Sequence, residues 1–188
     1  MSVYLHKKTC RRLNDPGTAH FATFSTFRRQ PFLRSETACL WLAESLRRAC
    51  TNHDMALWAY VFMPEHVHLI VRPRQTAADI SQFLKATKLG VANNARRRYD
   101  LSDKADPAWE RYLDIQPNGQ VHFRFWQRGG GYDRNLFSPD EIMEKVNYIH
   151  ANPVRRGLSA GPDDWRWSSS GDYSGLRCGP VPVEFLDL

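Results

Sequence analysis

His66 and His68, one residue apart, sit in the apolar run Tyr60-Val61-Phe62-Met63-Pro64-Glu65-His66-Val67-His68-Leu69-Ile70-Val71. β-Branched and aromatic residues favour a strand, and alternate side chains of a strand share a face. Both imidazoles then point one way, while Val67 and Leu69 point the other way, toward a core. Two imidazoles on a hydrophobic strand are costly to bury unless their nitrogens are satisfied. A divalent metal would satisfy them. So would ordinary protein hydrogen bonds, and the pair alone does not choose between the two.

A second group lies far down the chain. Ser138-Pro139-Asp140-Glu141 has the form of a helix start, with Ser138 as cap, Pro139 in the first turn and Glu141 completing a capping box. Ile142, Met143, Val146 and Ile149 follow as one apolar stripe. Tyr148 falls off that stripe, and Asn152, four residues on, shares its side of the helix. Pro153 discourages further helix. Tyr148 therefore suits a half-exposed packing residue and Asn152 a helix-ending cap, unless they work together with the histidines. Glu141 projects near Tyr148, but capping is its simpler use. His150 faces elsewhere and fits a structural role.

These strings together resemble a known family. His66-Val67-His68 matches the HUH motif. Tyr148-Ile149-His150-Ala151-Asn152-Pro153-Val154 matches the tyrosine motif of the IS200/IS605-type single-tyrosine (Y1) transposases, and more closely their REP-associated branch. The resemblance runs from roughly Phe21 to Tyr173. It includes Met63-Pro64-Glu65, Phe125-Trp126-Gln127 and Asp164-Trp165-Arg166-Trp167-Ser168-Ser169. It implies an HUH-type endonuclease that cuts and rejoins single-stranded or hairpin DNA, in the cytoplasm of a bacterium. Tyr148 would be the nucleophile and form a 5′-phosphotyrosine, conserving the bond energy for resealing. His66, His68 and Asn152 would hold Mg²⁺ or Mn²⁺, which polarises the phosphate. Many transposases have Gln at the third ligand position; Asn is usual in the REP-associated branch. Two other classes stay open on the residues alone: a non-catalytic single-stranded nucleic-acid-binding module, and a phosphodiesterase that uses water.

Composition agrees with a folded, DNA-directed protein. The chain has 188 residues, 42% hydrophobic, with six Trp, seven Tyr and ten Phe, and a formal charge of +6. A sequence pI near 9.3 favours a polyanionic partner. Candidate DNA-binding residues are Arg28, Arg29, Lys85, Lys88, Arg96, Arg97, Arg98, Arg155 and Arg156, with Lys7-Lys8 and Arg11-Arg12 ahead of the domain. Tyr99, Phe123, Phe125 and Trp126 offer rings for stacking on bases or for a core. No run of about 18 apolar residues suggests a membrane span. Cys10, Cys39, Cys50 and Cys178 are scattered, as in a cytosolic protein with reduced thiols.

The elements expected to position the site form an α+β, ferredoxin-like (RRM-like) antiparallel sheet with packed helices. Strands are expected at 19–27, 56–63, 66–72 and 122–127. Helices are expected from Ser35 to about Cys50, from a cap at Thr76 to about Arg98, and from Ser138. Residues 99–120 read as a loop. The whole chain, 1–188, reads as one domain, with a core of about 19–173, a basic extension 1–18 and a tail 174–188 whose Val181, Val183, Phe185 and Leu186 can dock. The glycines after Arg128 would let the tyrosine helix reach its own histidines or those of a partner in a homodimer.

Overall fold

The computed structural model describes residues 18–75, 79–102 and 106–185. Its centre is a four-stranded antiparallel sheet built from β1 (Ala19–Ser25), β2 (Met55–Met63), β3 (His66–Pro73) and β6 (Tyr132–Leu136), in the order β2-β3-β1-β6. This is the ferredoxin-like arrangement. β2 is buried along its whole length, which explains its almost unbroken apolar sequence. β3 alternates. Val67, Leu69 and Val71 face α1 (Glu36–Asn52) and α2 (Ile80–Asp100), whereas Ile70 faces α3 (Pro139–His150).

Local signals account for the helices on the first face. Ser35 caps α1 by accepting a hydrogen bond from the Ala38 amide at 3.4 Å. Cys39, Leu42, Ala43, Leu46 and Ala49 of α1 are buried. α2 is capped by Asp79, which accepts from the Ser81 and Gln82 amides. The cap expected at Thr76 lies outside the described residues, and the helix begins at Ile80. α1 and α2 approach closely where Gly90 meets Ser45, whose hydroxyl donates to the Thr87 carbonyl at 2.8 Å.

The fourth strand is not the one expected. Residues 122–127 are split: β5 (Val121–Phe123) pairs with β4 (Leu113–Ile115) as a separate hairpin, after a 3-10 turn over Pro107–Tyr112, and Trp126 only bridges Thr26 at the end of β1. Phe125 and Trp126 instead pack into the α1/α2 core. The sheet's fourth strand is β6, antiparallel to β1. β1 also ends sooner than expected, at Ser25, and the chain turns through a 3-10 segment, Phe27–Arg29.

On the second face, Ile142, Val146 and Ile149 of α3 pack on Phe21, Ala59, Val61, Met63 and Ile70. The stretch that follows the short helix α4 (Asn152–Arg155) fastens this layer. Phe62 donates to the Trp167 carbonyl, the Trp165 indole donates to the Phe62 carbonyl, and Ser169 donates to the Tyr60 carbonyl. His150 Nε2 lies 2.8 Å from Ser169 Oγ, tying the end of α3 to the same edge. After α5 (Ser170–Ser174), Val181 and Val183 dock against the core, but Phe185 is exposed.

Gly131, at the turn into β6, has φ +74°, and a β-carbon there would stand 2.1 Å from the Thr23 carbonyl oxygen. Gly131→Ala is predicted to cost about 2 kcal/mol or more in urea unfolding, because neither backbone can give way. A loss under about 0.5 kcal/mol would contradict this packing.

Candidate active site

The strand pairing supplies each histidine with its neighbours. In β1, Thr23 stands opposite His68 and Ser25 opposite His66. Thr23 Oγ1 lies 2.7 Å from His68 Nδ1. Glu65 Oε1 lies 3.1 Å from His66 Nδ1, and the two Nε2 atoms face each other at 3.0 Å. A carboxylate accepts only, so His66 carries its proton on Nδ1 and presents a bare Nε2. His68 then donates from Nε2 to His66 and accepts from Thr23. Because a hydroxyl both donates and accepts, Thr23 also tolerates the other His68 tautomer, in which both Nε2 lone pairs are free.

Phe21 builds the floor. Its ring stacks on His68 with centroids 5.5 Å apart and meets the Tyr148 ring edge-on at 6.1 Å. Tyr148 projects from α3 over His68, ring to ring at 5.9 Å, and is 39% exposed. One turn later Asn152 opens α4 and is 8% exposed, with an amide nitrogen that has no hydrogen-bond partner among the described residues. Tyr148, Asn152, His66 and His68 all line one cavity of about 350 Å³. The helix that carries the tyrosine thus reaches the histidines of its own chain.

Positive charge rings this cavity. Arg29, Arg155 and Arg156 line it. Arg28 and Arg29 both have positive φ, 51° and 53°, a conformation that costs non-glycine residues about 1 kcal/mol or more each. Gln127 holds the turn by accepting from the Arg28 amide at 3.0 Å. The Arg155 guanidinium lies 5.2 Å from the centre of the Tyr148 ring, and the Lys145 ammonium 5.9 Å.

The remaining candidate DNA-binding residues are elsewhere. Lys85 and Lys88 line a groove with Trp126 and Gly129, on the α2 side of the sheet. Arg96 pairs with Asp100 at 3.1 Å and lies over the Tyr99 and Phe123 rings. Arg97 is exposed nearby, and Arg98 lines an aromatic pocket with Trp41, Trp109 and Tyr112. None of these five lines the cavity that holds Tyr148. Glu141 is used as a cap: it accepts from the Phe137 amide at 3.0 Å and pairs with Arg134. Three contributors had no assigned role in the sequence: Thr23, Phe21 and Glu65. Glu65 had a local signal, its place directly before His66; the other two depend on strand register.

The donor set fits a divalent cation. Two nitrogens bound at right angles at about 2.1 Å lie about 3.0 Å apart, which matches the observed Nε2 separation. Asn152 borders the same space, and its amide oxygen is the atom that would act as a ligand. Among the described residues there is no cluster of three or more His, Cys, Asp and Glu, so a neutral amide, solvent and substrate oxygens would complete the shell. Both imidazoles suit this role at neutral pH, because burial lowers the pKa of His66 and brings that of His68 down to about 3.

Burial also lowers His150, to about 4. In the unfolded chain both His68 and His150 take up a proton near the ordinary value of 6.5, whereas the fold refuses it until much lower pH. Below about 6.5 the unfolded state therefore binds more protons, and stability falls as pH falls. The predicted slope from pH 6 to 5 is roughly 1 kcal/mol per pH unit per histidine in urea titrations. His68→Gln with His150→Gln is expected to flatten the profile; an unchanged slope would contradict the assignment.

Comparison with known proteins agrees with this architecture. The family described as "Transposase IS200 like" matches residues 17–128, more than half of the chain. A solved REP-associated tyrosine transposase, bound to a REP hairpin, superposes with a TM-score of 0.66 at 20% identity, over 100% of this chain and 95% of that one. A putative transposase from Deinococcus radiodurans shares 22% identity over 82% of this chain and 99% of its own, with a TM-score of 0.43. No curated protein matches the chain. With its histidine strand inside the matched region, this chain belongs to the IS200-like transposase family and is an enzyme of that DNA-cleaving class.

Proposed function

We propose that the chain cleaves and rejoins single-stranded DNA at a hairpin through a phosphotyrosine formed on Tyr148. The observation that carries this reading is the meeting of Tyr148, His66, His68 and Asn152 in one arginine-lined cavity. The solved relative is described as bound to a REP hairpin, which supports hairpin DNA as the substrate class.

The arginines come first in the mechanism. Arg29, Arg155 and Arg156 offset phosphate charge and hold the strand, so binding weakens as salt rises. Tyr148 Oη then attacks the scissile phosphorus. The Oη–P bond forms as the P–O3′ bond breaks, the phenol proton is released and the 3′ oxygen leaves as a hydroxyl. Arg155 and Lys145 place positive charge beside the ring while its oxygen carries the attack. His66, His68 and Asn152 would hold Mg²⁺ or Mn²⁺, which supplies Lewis-acid polarisation of a phosphate oxygen when bound. Reversal of the step by a new 3′-hydroxyl joins strands without an external energy source. Phe21 keeps the nucleophile and His68 in register throughout.

The test is a library of labelled single-stranded hairpins incubated with Mn²⁺ and run on a denaturing protein gel. Wild-type protein is expected to give a covalent protein–DNA band, and Tyr148→Phe to lose it, with a drop in cleavage of about 10³-fold or more. His66→Ala is expected to lose cleavage while still binding DNA. Metal-dependent cutting that persists in Tyr148→Phe would contradict the proposal and point to water as nucleophile.

A further inference from the structure

One carboxylate oxygen links the outside of the site to its histidines. Glu65 Oε1 accepts from Arg156 Nη1 at 2.7 Å and lies 3.1 Å from His66 Nδ1. The Glu65 side chain is 12% exposed, whereas that of Arg156 is 48% exposed and open to a phosphate. The backbone that carries the carboxylate is also held in place. The Glu65 carbonyl accepts from the Thr26 amide at 3.0 Å, so the Pro64–Glu65 turn is fastened to the end of β1. Arg156 and His66 share this single acceptor atom.

We infer that Glu65 is a positioning residue through which Arg156 controls His66 as a metal ligand. With no DNA present, Arg156 draws on the oxygen that orients His66. A DNA phosphate at the cavity mouth takes up the guanidinium and leaves Glu65 to His66 alone. An imidazole that donates from Nδ1 to an undivided carboxylate is a stronger donor at Nε2. Metal affinity then rises when the substrate strand is in place, and by linkage DNA affinity rises by the same factor when metal is bound. Such coupling suits a donor set of two imidazoles and a neutral amide, which is modest until substrate arrives. It also restrains the nuclease when no strand is bound. The inference rests on the proposed metal role of the histidine pair, and the test separates the two.

Mn²⁺ binding to the full chain, followed by the EPR signal of free Mn²⁺, reads the coupling without any cleavage. His66→Ala is the control for the site itself. Glu65→Gln keeps the shape of the side chain and is expected to weaken Mn²⁺ binding about tenfold. Arg156→Gln, at the surface, is expected to strengthen it about fivefold. In the Glu65→Gln background the same Arg156→Gln change is expected to do almost nothing. In Tyr148→Phe protein, saturating oligothymidylate is expected to raise Mn²⁺ affinity more when Glu65 is present than when it is Gln. Equal effects of Arg156→Gln in both backgrounds would mean that the guanidinium acts by its field alone and would overturn the relay. So would an oligothymidylate gain that ignores Glu65→Gln. If His66→Ala binds Mn²⁺ as wild type does, the metal-site reading fails and the relay with it.

Discussion

Two imidazoles set side by side on a buried sheet face must find partners or weaken the fold, and the site is arranged around meeting that need. Thr23 meets one Nδ1 from the neighbouring strand and Glu65 meets the other from the preceding residue. What is left is a pair of Nε2 atoms turned toward each other at the cavity floor. The hydrogen bonds that make the pair tolerable thus also orient it. Burial keeps both rings uncharged at neutral pH, so their lone pairs stay available while the arginines around them stay cationic. The proposed binding of a polyanion and a cation together would depend on this separation of roles.

The sheet's second face carries the other half of the chemistry, and its attachment depends on few contacts. α3 lays an apolar stripe on β2 and β3, and that stripe leaves Tyr148 on the flank that overlooks His68. The Trp165–Ser169 stretch then closes the outer edge of β2 and ties His150 to Ser169. Packing sets the height of the tyrosine helix, and the edge contacts hold its far end. The helix breaks at Ala151, and Pro153 stands in the first turn of α4, which carries Arg155 and Arg156 to the same cavity.

Much of this was legible in the chain because it is local. The histidine pair follows from a two-residue period, the α3 stripe from a helical one, and the Ser138 cap from side-chain chemistry next to the helix. The fourth strand was not. Phe123, Phe125 and Trp126 make 122–127 look like one strand of the sheet, but Phe123 closes the β4–β5 hairpin, Trp126 only bridges Thr26, and the Phe125 and Trp126 rings fill the space under α1 and α2. The strand that does complete the sheet, Tyr132-Asp133-Arg134-Asn135-Leu136, is a polar edge strand, and hydrophobic periodicity cannot find such a strand. The basic clusters separate in space for a related reason. Arg29, Arg155 and Arg156 converge from distant segments, whereas Arg96–Arg98, adjacent in sequence, lie across the sheet from Tyr148. Thr23 became visible as a partner only once β1 and β3 were in register.

The central claim is that one chain completes its own site, with α3 folded back so that Tyr148 meets His66 and His68 of the same polypeptide. Mixing two defective proteins tests this most directly: Tyr148→Phe, which keeps the histidines, and the His66→Ala, His68→Ala double variant, which keeps the tyrosine. Covalent complex formation with hairpin DNA would be measured in each protein and in their equimolar mixture. The account predicts that the mixture stays as inactive as its components. Recovery of a substantial part of wild-type activity on mixing would contradict it, because the nucleophile would then have to come from a second chain.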